Sequence, residues 1–178
     1  SGVSVGSVGF VAALVSLRHH GCVLCVRLWA ALLPARAAGH RVLRYDLYGH
    51  CDRDPPPLSG ALCGVSLTVY ADQLAMLIDY LDIASAVIVG FSIGGMINRR
   101  FAMDYPGRAA ALVILTSPPD RGSQAQEQVE ARAAAVRDEG RMATLDAALD
   151  RWFTPDFRQD TTSVMRLVRA WRAIVDTD

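Results

Sequence analysis

A parallel α/β core followed by a helical segment is the fold class that these 178 residues predict. Between residues 10 and 116, short apolar runs alternate with stretches of helical periodicity. Strand and helix in alternation mean a parallel sheet joined by right-handed crossovers. After residue 120 the alternation stops and helical patterns alone continue. A third observation adds chemistry: Gly90-Phe91-Ser92-Ile93-Gly94-Gly95 lies between an apolar run and the start of a helical pattern.

Strand signals fall at 10–17, 41–46, 86–90 and 111–116, and helical signals at 28–38, 67–81 and 93–104. In the second helix Tyr70, Leu74, Leu77 and Leu81 recur at i, i+4, i+7 and i+11, which makes one apolar stripe. The apolar stretch from Val11 to Leu17 is too short to span a bilayer. It also lacks the charged start and small-residue cleavage site of a secretion signal, so it reads as a buried strand. Residues 51–64, with Pro55-Pro56-Pro57 inside, form a surface loop.

Beyond Pro118-Pro119-Asp120, Ser123 and Gln126 make a capping box for a helix that ends near Gly140. The next helix presents Leu145, Leu149 and Trp152 and is halted by Pro155. A third carries Val164, Leu167, Val168, Trp171 and Val175 on one side. All three read as amphipathic, with Trp152, Phe153 and Trp171 expected in the core.

Apolar residues make up 52% of the chain and charged residues 20%, which argues against disorder. Net charge is zero with no basic stripe, so nucleic acid is not an expected partner. All 18 basic residues are arginine, and without lysine a P-loop or a Schiff-base mechanism is excluded. Cys22, Cys25, Cys51 and Cys63 include one C-x-x-C, whereas zinc would want two such pairs or added histidines. They read as buried or half-buried thiols in a reducing cytosol, and neither a cofactor nor a metal is called for.

Strand, Gly-x-Ser-x-Gly, helix is the context of a nucleophile elbow. The chemistry needs a serine hydroxyl at the tip of a sharp turn, clear of the sheet. Glycines two residues to either side remove side chains that would collide there. Ser92 can then be held in a sparsely populated backbone conformation, and it is the candidate nucleophile.

The flanks carry a resemblance. His20-Gly21 lies upstream, followed by Arg44-Tyr45-Asp46-Leu47-Tyr48-Gly49-His50, and Tyr105-Pro106-Gly107-Arg108 lies downstream. In order and spacing this is similar to the α/β-hydrolase superfamily, its esterase and 3-oxoadipate enol-lactonase branch in particular. The likeness implies an incomplete hydrolase core over residues 1–120 and a truncated helical cap, roofing the active site, over 121–178. It also implies a small-molecule ester or lactone as substrate and an oxyanion hole of two backbone N–H groups, those of Ile93 and Cys22. Val23 stands where many relatives have a second glycine, and Cys51 where a glycine usually follows Gly-His.

One part of the pattern is missing. A serine hydrolase needs a histidine as base and a carboxylate to orient it, in the chain order serine, acid, histidine in this fold. His19, His20, His40 and His50 all precede Ser92. The expectation is therefore a fragment of a hydrolase, inactive alone, and the alternative is a non-catalytic hydrolase-fold module that binds a ligand or protein. By resemblance the four strands order in space as second, first, third, fourth. Both outer strands would then lack neighbours and invite self-association. No membrane partner is expected, and the location is cytoplasmic.

Overall fold

The computed structural model describes residues 4–5, 15–19, 29, 41–50, 54–56, 65–120, 122–139, 147, 150 and 152–159. Five strands form one sheet: β1 (Ser4–Val5), β2 (Val15–His19), β3 (Arg41–Arg44), β4 (Ala86–Phe91) and β5 (Ala109–Leu115). Their spatial order is β1-β3-β2-β4-β5, and every pair is parallel except β1 with β3. The expected order of the four longer strands is observed. One expectation is corrected: β3 does not form an open edge, because Ser4 and Val5 pair with Arg44 and Leu43 in antiparallel register. Strand β2, expected at 10–17, runs on to His19, which lies level with Gly90 on β4, while residues 10–14 lie outside the described residues.

Helix α1 (Leu67–Tyr80) and helix α2 (Ile93–Asp104) pack on this sheet. Ser66 caps α1 in the usual way, its Oγ accepting from the Val69 N–H at 3.2 Å. Leu74, Ile78, Ile88, Ile97 and Phe101 are wholly buried between helices and sheet, and Leu43 nearly so. Burying side chains of this size is worth about 1.5–3 kcal/mol each, which is what holds two helices on a strand layer. Gln73 adds a polar stitch from α1: its Nε2 donates to Asp46 O and its Oε1 accepts from Tyr48 N.

The Tyr105-Pro106-Gly107-Arg108 segment serves the frame. Gly107 takes a φ of +86° in the turn before β5. Arg108 donates to the Ala84 and Ile83 carbonyls and to the Asp79 carboxylate, at 2.8, 3.1 and 2.6 Å. It thus fastens the start of β5 to the start of β4 and the end of α1. Tyr105 Oη donates to Asp72 Oδ1 at 2.5 Å and ties the end of α2 to α1.

By internal packing the chain divides into Ser1–Ser117 and Pro118–Asp178. In the second unit α3 (Gly122–Glu139) is mostly exposed, with Ala125 and Val129 half-buried four residues apart. The capping box is not made. The helix begins at Gly122, so Ser123 already lies inside it, and the Gln126 amide is drawn to Glu130 at 2.9 Å. Pro155 does not merely halt a helix; it opens α4 (Pro155–Gln159), with Thr154 Oγ1 accepting from Phe157 N at 3.3 Å. Proline suits that first helical position because its missing N–H would have no intrahelical partner there. Trp152 is 43% exposed rather than in a core, and Phe153 stacks on Phe157 with ring centres 5.0 Å apart. Trp171, the helix expected at 164–175 and the one expected at 28–38, apart from the buried Trp29, lie outside the described residues. Among the described residues no helix is long and apolar enough to cross a membrane.

Candidate active site

Ser92 occupies the junction between β4 and α2, as the residue that precedes the first helical position. Its backbone has φ 56° and ψ −117°, in the left-handed half of the map. These angles match the first central position of a type II′ turn, where glycine dominates. A serine held there is strained by about 1–3 kcal/mol.

The strain alters what the side chain does. A serine before a helix normally spends its hydroxyl on a backbone N–H of the first turn, as Ser66 does at φ −150°. Ser92 makes no such capping bond. The Gly95 N–H is instead taken by the Ser92 carbonyl at 3.0 Å. The hydroxyl is thereby left to other work at a half-buried position.

Gly90 and Gly95 show how closely the elements meet around this turn. A Cβ on Gly90 would lie 2.3 Å from the Gly94 carbonyl oxygen, so the strand and the first helical turn can meet only without it. A Cβ on Gly95 would lie 2.5 Å from the Cβ of Ser117. The Ser92 N–H donates to Leu115 O at 2.9 Å, which ties the turn to the end of β5. Ile93 opens α2, and its N–H is one of the four at a helix start with no intrahelical acceptor. Such groups point out of the helix end and carry partial positive charge.

The carboxyl edge of the sheet therefore brings together Ser92 after β4, residues 45–50 after β3 and Thr116-Ser117 after β5. Ligands of open parallel sheets bind along that edge. Of the histidines, His50 is described beside it: its Nδ1 lies 3.0 Å from the Tyr48 carbonyl, which can only accept, so this nitrogen carries the proton. The ring meets Tyr70 edge-on at 6.4 Å. Cys22, His20 and His40 lie outside the described residues, and His19 ends β2. Among the described residues no cluster of histidine, cysteine, aspartate or glutamate could hold a metal ion.

Two residues near the turn have no counterpart in the sequence reading. Asn98 is wholly buried, and its Nδ2 donates to Ile88 O and Val113 O at 3.2 Å each, joining α2 to both β4 and β5. Arg99 donates through Nη1 to Ser117 Oγ at 3.2 Å and through Nη2 to the Ser117 carbonyl. An amide among Ile97, Phe101 and other apolar neighbours is the one signal that could have drawn attention to Asn98. Arg99 looks like any polar-face residue until the fold brings Ser117 to it.

Residues 17–162 match the alpha/beta hydrolase fold family. Over 124 residues the chain is 29% identical to 3-oxoadipate enol-lactonase 2 of Acinetobacter baylyi, a stretch that covers 70% of this chain and 44% of that protein. Over 127 residues it is 32% identical to a non-heme chloroperoxidase of Streptomyces lividans, again 70% of this chain and 44% of the other. Among solved structures, the enol-lactonase of Burkholderia xenovorans LB400 superposes with a TM-score of 0.82 at 26% identity, over 99% of this chain and 65% of that one. The chain thus spans under half the length of these two sequence relatives.

Proposed function

We propose, from the chain's membership of the alpha/beta hydrolase fold family, that it is the nucleophile-bearing part of a serine hydrolase acting on small carboxylic esters or lactones. Ser92 is the nucleophile. The observation that carries this reading is the left-handed backbone of Ser92 together with its missing capping bond. A serine kept in a costly conformation, with its hydroxyl withheld from the helix, suits attack on a substrate far better than it suits stability.

In the proposed reaction Ser92 Oγ attacks the acyl carbon and gives its proton to a base. The negative charge that develops on the carbonyl oxygen is met by the Ile93 N–H and, by family resemblance, by the Cys22 N–H. Each such donor is worth about 3–4 kcal/mol in the transition state. Collapse expels the alcohol or enol, which takes the proton back from the base, and water then cleaves the acyl-serine by the same route. The base and its orienting acid belong, in this reading, to the part of the relatives' length that this chain does not span. The helices after residue 120 are read as the cap of that fold, and the outer edge of β5 as a site of self-association. The substrate class rests on the relatives, two of which are named as enol-lactonases. A cytoplasmic location is part of the same reading and rests on the pattern of the four cysteines.

A second reading, a non-catalytic hydrolase-fold binding module, is favoured by one fact: no histidine follows Ser92. Hydrolysis of p-nitrophenyl acetate by the 178-residue chain, beside its Ser92→Ala variant, and the gene sequence after the codon for Asp178 separate the readings. The proposal expects equal rates for the two proteins and a continuing frame that carries an acid and then a histidine. A stop codon directly after Asp178 in an expressed gene would favour the binding module. Turnover that depends on both Ser92 and His50 would show that the base lies within the chain.

A further inference from the structure

The turn around Ser92 is matched by a second strained turn on the neighbouring strand. Thr116, a β-branched residue, has a φ of +48° immediately after β5, where such residues are true outliers. It lies between two anchored neighbours. On one side the Leu115 carbonyl accepts the Ser92 N–H at 2.9 Å. On the other, Ser117 is held at both its hydroxyl and its carbonyl by the Arg99 guanidinium. The absence of a side chain on Gly95 is what lets Ser117 come so close to α2. Ser92, α2, Arg99, Ser117, Thr116 and Leu115 therefore close into a ring, with a left-handed residue at two of its corners.

Strained residues of this kind persist only where their surroundings over-determine them. Without a grip on Ser117, Thr116 would relax towards the extended region. The peptide joining it to Leu115 would turn, and the Leu115 carbonyl would leave the Ser92 N–H. We propose that Arg99 is a positioning residue for the nucleophile, holding the Thr116-Ser117 turn so that Leu115 can fix the backbone of Ser92. The word nucleophile here rests on the reading of Ser92 given above; the coupling between Arg99 and Ser92 does not.

Amide hydrogen exchange on the 178-residue chain tests the coupling without any substrate. In Arg99→Met the Ser92 amide is expected to exchange about tenfold or more faster, the loss expected when a charge-assisted bond no longer holds its turn. The amide of Ile88, deep in β4, should stay as slow as in the unaltered chain. Arg99→Lys keeps a cationic donor for the Ser117 carbonyl and should restore most of the protection. Ser117→Ala removes one of the two bonds and should fall between the two arginine variants. An unchanged Ser92 amide in Arg99→Met overturns the proposal. So does equal acceleration of Ser92 and Ile88, which would mean general loss of stability, and so does failure of lysine to rescue. Because the readout needs no turnover, such a failure would leave the nucleophile reading untouched, and an inactive Ser92 would leave this one untouched.

Discussion

At Ser92 the backbone adopts angles that glycine takes freely and serine only under strain, φ 56° and ψ −117°. Replacing Ser92 with glycine is therefore expected to stabilise the folded chain, by about 1 kcal/mol, because relief of strain outweighs the extra freedom glycine has when unfolded. A urea titration reads this directly, and a midpoint equal to or below that of the unaltered chain would deny the strain. The same change removes the hydroxyl, so stability and the proposed chemistry pull apart at one atom. Residues of this kind are legible in a sequence because glycines at fixed offsets announce the turn. Asn98 and Arg99 are not legible, since their partners are carbonyls on β4 and β5 and a residue beyond β5, brought near only by the fold.

Between elements, the junction of α1 and α2 rests on Tyr105 and Asp72. The hydrogen bond to Asp72 comes first among the causes that push the Tyr105 phenol from 10.0 up to about 12; burial and the charges of Asp72, Asp104 and Asp79 add to it. A group whose folded pKa is raised contributes its stability in full below the unfolded value and loses it as pH climbs through the folded one. The advantage of the unaltered chain over Tyr105→Phe should therefore be constant through neutral pH and shrink between about 10 and 12. Urea midpoints for both proteins across that range check it, and a difference that survives unchanged at pH 12 would contradict the assignment. Helices α1 and α2 are legible nearly to the residue, because an apolar stripe and flanking Gly and Pro mark them. Two-residue β1 is not, since two positions carry no period. Pro155 is ambiguous by itself, because proline both ends a helix and opens the next.

For the molecule as a whole, the alternation of strand and helix implies a parallel sheet, and the order of its longer strands follows from the resemblance. The covered side of β3 was out of reach, because nothing in Ser4 and Val5 says which strand they will join. Among the described residues the other side of the sheet ends on β5, whose Val113 and Leu115 are 39% and 38% exposed. A continuous apolar edge strand of this sort is a template for pairing. Family membership is a property of residues 17–162 together, whereas the proposed chemistry turns on a single side chain. The claim at the centre of the account is that this side chain, Ser92, is a hydrolytic nucleophile. The most direct test treats the complete product of the gene, whatever its length, with a fluorophosphonate and maps the adduct by peptide mass spectrometry. The account predicts one adduct, on Ser92, absent from Ser92→Ala; no adduct, or one that persists in the alanine variant, would contradict it.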